Sequence, residues 1–143
     1  MKNTHAIKSL VAVGLITLAN LAAADLVVIV NPKSPLTSMT PEQVSAIFMG
    51  KSAQLPSGAT AQPADLPESN AIREQFYSKA AGKTSAQVKA TWARLTFSGK
   101  ATPPRELSSA ADVKKHVAGN VDAIGYIEQS AVDASVKVVL VVE

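Results

Sequence analysis

The chain has no cysteine in its 143 residues. That absence excludes a disulfide, a thiolate metal site and a lipoprotein attachment site. Histidine is nearly absent too: only His5 and His116 occur. No paired histidines and no acidic cluster have metal-ligand spacing, and a lone His without a positioned Ser or Cys supplies no nucleophilic machinery. The chain therefore reads as a non-enzyme with no metal and no cofactor. Aromatic residues make up only 4% of the sequence. No basic run is interleaved with aromatics, which argues against nucleic acid as a partner. Internal repeats and low-complexity segments are also missing.

What is present begins with an address. Lys2 and Lys8 form a basic start, an apolar run from Leu10 to Leu21 follows, and Ala22-Ala23-Ala24 closes it. This order reads as a signal peptide over residues 1–24 with an A-x-A site before Asp25. A membrane anchor is the competing reading. The run is shorter than the roughly 20 residues a span needs, and Thr17 and Asn20 interrupt it. Export to the periplasm is expected, with residues 25–143 as one domain around one core. Lys2 and Lys8 are two of the 14 basic residues, so twelve remain to face 11 acids. The mature chain is close to neutral despite a sequence pI of 9.3.

Strand and helix signals alternate along that domain. Leu26–Val30 is a β-branched apolar run ended by Asn31-Pro32. Thr40-Pro41-Glu42 opens a helix whose inner face is Val44, Ile47 and Phe48, with Gly50 as its stop. Weak strand character lies around Ala59–Pro63. A helix follows from Ser69 to about Ala81, and another from Thr84 or Ser85 carries the stripe Val88, Trp92, Leu95. Ser108 or Ser109 caps a shorter helix, and two strands close the chain, Val121–Ile127 and Val136–Val142. The alternation predicts an α/β domain, a small sheet flanked by helices. The strands Val27–Val30 and Ala123–Ile127 are expected at its centre. The expected core is Ile47, Phe48, Ile72, Phe76, Trp92, Phe97 and Ile124, while His116 is expected in solvent.

The stretch Ala64–Phe76 carries the chemistry. It reads as a strand end, a short polar turn and a helix start that either Ser69 or Asn70 can cap. A helix opening after such a turn presents free backbone N–H groups and the positive end of its dipole, which suits an anion. Ser69 is read as an anion ligand or as a plain cap, and so is Asn70. Arg73, one turn in, can reach back to an oxyanion or pair with Glu68 or Glu74. Asp65 is left open between accepting a proton from a hydrogen phosphate and sitting on the surface, and Glu68 is read as a surface carboxylate. Tyr126 follows Gly125 near a strand end, where its ring can pack while its hydroxyl faces a cleft.

Four segments taken in order resemble the phosphate-binding periplasmic proteins of ABC transporters. Val28 to Lys51, V-I-V-N-P-K-S-P-L-T-S-M-T-P-E-Q-V-S-A-I-F-M-G-K, is similar to the strand ending in V-N-x-x-x-P and the L-T-x-E-Q-(apolar)-x-x-I-F-x-G-K that follows it in those proteins. E-S-N-A-I-R-E-Q-F falls where they carry the phosphate loop G-S-G-T-R-x-x-F. W-A-R-L-T-F-S-G-K with Pro103-Pro104, and Ala123-Ile124-Gly125-Tyr126, match short single-lobe members. The resemblance implies a single type II periplasmic-binding-protein lobe, a mixed sheet flanked by helices, with an anion at a helix N-terminus. The implied ligand is inorganic phosphate or a similar oxyanion, held by Ser69, Asn70, Ala71, Arg73 and Asp65. The implied partner is an ABC transporter permease or another membrane or regulatory protein. In this loop Glu68 replaces the first glycine, Asn70 the second and Ala71 the threonine, while Ser69 and Arg73 keep the family's residue type. Asp65 stands where some full-length members have an arginine. The competing function is an interaction module that kept the fold and lost the ligand.

Magnitudes bear on the site. Charge-assisted hydrogen bonds contribute ~1.5–3 kcal/mol each and a helix end roughly 0.3–1 kcal/mol. Lost freedom on association costs on the order of 4–15 kcal/mol. One lobe is thus expected to hold an anion at about millimolar affinity. Tighter binding needs a second wall from self-association, a partner protein or a loop of this chain.

Overall fold

The computed structural model describes residues 25–143; the signal peptide expected over residues 1–24 lies outside them. The elements run β1 (Leu26–Val30), α1 (Pro41–Phe48), β2 (Gln62–Asp65), α2 (Ala71–Ala81), α3 (Ser85–Phe97), β3 (Arg105–Glu106), α4 (Ala110–Gly119), β4 (Ala123–Glu128) and β5 (Lys137–Val142). The five strands form one sheet in the order β3-β2-β4-β1-β5. β1 is antiparallel to β4 and β5, whereas β2 is parallel to β3 and β4, so the sheet is mixed as expected. The two strands expected at the centre are neighbours, with Val28 opposite Tyr126.

Local chemistry sets the helix starts. Thr40 and Thr84 each form a reciprocal cap with the glutamine three residues on, Gln43 and Gln87. Asn70, not Ser69, caps α2, its side-chain oxygen accepting from the Ile72 amide at 2.9 Å. Asn31, where β1 ends, donates its side-chain amide to the carbonyls of Val117 and Ala118 at 2.9 and 3.0 Å. It thereby satisfies the last turn of α4, whose carbonyls have no partner within the helix.

The alternation of β4 sorts the helices onto two faces. Gly125 faces α4 so closely that a Cβ there would lie 2.6 Å from Val113 Cγ1. Tyr126, the next residue, points to the other face, where its ring stacks on Phe76 at 3.9 Å and meets Phe48 edge-on at 5.8 Å. α1 and α2 cover that face. All five residues of β1 are fully buried between the two layers.

Five of the seven expected core residues pack as read or close to it. Ile47, Phe48, Phe76 and Ile124 are buried, and Ile72 is half-buried against them. Two corrections fall on α3. Phe97 is 96% exposed. It lies five residues past Trp92, about 140° around the helix from the Val88–Trp92 stripe. Trp92 is only half-buried because α3 packs on α2 rather than on the sheet. His116 is partly exposed, and its ring Nε2 lies 3.3 Å from the Gln62 carbonyl oxygen. The strand expected around Ala59–Pro63 runs instead from Gln62 to Asp65, and Thr60 pairs with Gln54 in an isolated bridge before it. Among the described residues no helix is long and apolar enough to cross a membrane.

Candidate functional site

β2 ends at Asp65, and α2 begins six residues later at Ala71. Asp65 is buried, and its carboxylate is the hub of a polar cluster under the loop. Tyr77, on the second turn of α2, donates its hydroxyl to Asp65 Oδ2 at 2.5 Å. Tyr126 of β4 donates to Asp65 Oδ1. The Leu66 amide donates to the same oxygen at 2.8 Å. Arg73 Nε stands 3.4 Å from Oδ1 and completes an ion pair whose side chains are 12% and 8% exposed. The Arg73 guanidinium also lies over the Tyr77 ring, 5.2 Å from its centre.

The electrostatics follow from burial. Desolvation pushes both tyrosine hydroxyls far above the usual tyrosine range, and the negative charge of Asp65 and its hydrogen bonds push them further. Both therefore stay protonated and serve as donors. The Tyr126 hydroxyl, expected to face a cleft, is turned inward onto this carboxylate. Arg73 pairs with neither Glu68 nor Glu74, and its Nε and Nη1 are buried with no hydrogen-bond partner among the described residues.

Outside this cluster lies a depression of about 210 Å3 bordered by Asp65, Glu68, Arg73, Lys89, Trp92 and Glu106. Glu68 is exposed there and meets Lys89 at 3.8 Å. Arg73 and Lys89 thus face three carboxylates, a near-balanced wall. Of the residues read from sequence as ligands, Asp65 and Arg73 are brought together at this depression, while Ser69, Asn70 and Ala71 do not border it. Ser69 is exposed. The loop's amides are partly spent: Asn70 donates to the Pro67 carbonyl at 2.9 Å and Ile72 to its cap. Ala71 and Arg73 are the first-turn amides without a partner among the described residues. Sequence reasoning missed Tyr77 altogether. The signal available for it was its place one turn beyond Arg73 on α2. Among the described residues no group of His, Asp and Glu could hold a metal ion.

Solved structures that superpose on this chain include proteins described as phosphate-transport receptors or phosphate-binding proteins. An ABC-type phosphate transport receptor from Vibrio cholerae superposes with a TM-score of 0.66 at 26% identity, covering 81% of this chain and 45% of that one. A Clostridium perfringens protein solved with bound phosphate, described as a phosphate ABC transporter substrate-binding protein, gives 0.65 at 22% identity over 81% and 44%. PstS from Borrelia burgdorferi gives 0.63 at 16% identity over 81% and 46%. The chain has the fold of these substrate-binding proteins and spans less than half of their length. No family model and no curated protein matches the sequence.

Proposed function

We propose that this chain is a non-catalytic solute-binding lobe that takes phosphate or a related oxyanion at the start of α2. The observation that carries the reading is Arg73: a cation one turn into α2, aligned by Asp65 and opening onto a small depression. The Arg73 guanidinium and its free amide are the donors, with Asn70 shaping the turn as cap and Asp65 orienting Arg73, while Ser69 and Ala71, which do not border the depression, supply none. A helix N-terminus and a nearby guanidinium charge together suit an oxyanion. Support comes from the phosphate-binding proteins that share the fold. By the same likeness the lobe works after export, with residues 1–24 removed, in the periplasm. It serves an ABC transporter permease there or another membrane protein. Three carboxylates around the depression keep the affinity low. Calorimetry with phosphate and sulfate tests this. Binding in the millimolar range that Arg73→Ala weakens at least tenfold is the expected result. No heat and no thermal shift up to tens of millimolar overturns it and leaves a fold kept for docking alone.

A further inference from the structure

Trp92, the chain's single tryptophan, stands between two depressions. The smaller is the one that Arg73 borders. The larger, about 460 Å3, is lined by Lys51, Ser52, Thr60, Lys100 and Thr102 over a floor of small residues. The segment joining α3 to β3 rims both in succession: residues 99–102 border the larger and Pro103-Pro104 the smaller. Ligand sites typically span roughly 300–1,000 Å3. The larger depression lies within that range by itself and the Arg73 depression falls short of it; Trp92 is the wall they share.

The two halves differ in chemistry. The smaller sets two cations against three carboxylates. The larger has no carboxylate at all, but two lysines, three hydroxyls and the indole. The indole N–H is committed to the Phe48 carbonyl at 2.9 Å, which pins the ring. Gly50 holds it from the other side: a Cβ at that position would lie 3.0 Å from Trp92 Cη2. The ring therefore offers an apolar wall, and the polar groups beyond it are donors suited to hydroxyl-bearing carbon chains.

We infer that the joint site takes a phosphorylated polyol or sugar. The phosphate lies at Arg73, the carbon skeleton crosses Trp92, and the far hydroxyls meet Thr60, Thr102 and the two lysines; the Ser52 hydroxyl is already held by the Gln54 backbone. This rests on the oxyanion reading above and names the ligand class for it. A bare oxyanion fills the smaller half and leaves the donors of the larger unused.

Calorimetry and Trp92 fluorescence, titrating inorganic phosphate, glycerol 3-phosphate, glucose 6-phosphate and glucose, decide it. At least one ester is expected to bind ten times tighter than inorganic phosphate and to change Trp92 emission, with glucose alone inert. The double variant Lys51→Ala, Lys100→Ala is expected to bring the ester down to the level of inorganic phosphate while leaving inorganic phosphate unmoved. Arg73→Ala weakens both. If inorganic phosphate binds but neither ester binds tighter, or if the advantage survives loss of both lysines, the inference fails and the oxyanion reading stands. If neither phosphate nor ester binds, both fail.

Discussion

Removing the Asp65 carboxylate is the most demanding test of the site's construction. In Asp65→Ala, the Tyr77 and Tyr126 hydroxyls lose their acceptor and Arg73 loses its counter-charge, all in the interior. A buried polar group left without a partner costs ~1–3 kcal/mol, and breaking a buried ion pair from one side costs about 3–5 kcal/mol. These contributions overlap, so a loss on the order of 4–6 kcal/mol is expected. Domains of this size hold only about 5–15 kcal/mol in total, so the variant is expected to be near its unfolding threshold. Asp65→Asn is milder. Its oxygen still accepts from Leu66 and Tyr126, and its amide can donate to Tyr77 once that hydroxyl turns. Only the charge on Arg73 stays unmatched, so the loss is expected to be no more than the about 3–5 kcal/mol of a buried pair broken from one side.

The decisive measurement is a double-mutant cycle in urea at neutral pH. Arg73→Met removes the cation that Asp65→Asn strands, so the double variant is expected to be more stable than the summed single losses by ~1–3 kcal/mol. Additive losses would show that the 3.4 Å pair carries no coupling. A loss below about 1 kcal/mol in Asp65→Ala would refute the hub itself.

Three further outcomes are expected. Gly50 has φ +73°, and a Cβ there would lie 2.5 Å from Leu95 Cδ1. Gly50→Ala should therefore cost roughly 2–4 kcal/mol, from left-handed backbone and overpacking together, and shift Trp92 emission; an unchanged denaturation midpoint would contradict the packing of α3. The hydroxyls of Tyr77 and Tyr126 are raised by burial and by Asp65, so the folded chain keeps two protons that the unfolded chain releases above pH 10.0. Stability is whole below that pH and should fall above it by about 1.4 kcal/mol per pH unit per hydroxyl, a slope that Tyr77→Phe halves; identical slopes in urea melts would refute it. Glu68→Gly releases Lys89 from its pair and removes an exposed carboxylate from the anion's approach, so phosphate should bind tighter by no more than about fivefold, the scale of a surface pair; weaker binding in calorimetry would place the anion elsewhere.

The architecture was legible where burial is continuous or capping is local. Leu26–Val30 is apolar at every position because the strand is covered on both faces, and Thr40 and Thr84 carry their capping glutamines at fixed spacing. Helical periodicity identified the inner stripe of α3 but not its depth, because period says which side faces inward and nothing of what lies there. Val88 reaches full burial on that stripe while Trp92 stops halfway. β2 was blurred for the opposite reason: Gln62-Pro63-Ala64-Asp65 has almost no strand propensity and is held by parallel pairing with β4 and β3.

The site was legible as a place and not as a network. The turn before α2 announces itself through Asn70 and the acids around it, but the motif likeness overreached by one residue. From Glu68 to Arg73 the loop is one residue longer than G-S-G-T-R, so Ser69 and Arg73 do not both fall on motif places. Counted back from Arg73 and Phe76, the motif serine falls on Asn70, which is where the cap forms. The second gap is long-range. Asp65 meets Tyr126 across 61 residues and Tyr77 across 12, and no local pattern encodes such partners. A carboxylate followed by leucine and proline looks like a surface turn. It becomes an interior hub only because β2 lies beside β4 and α2 folds back over both, which brings two tyrosine hydroxyls to one acceptor. Those same contacts fix Arg73, so the cation facing the depression is a consequence of core packing rather than of the loop sequence. Changes in the loop from Glu68 to Ile72 can therefore alter what binds without dismantling the group that binds it.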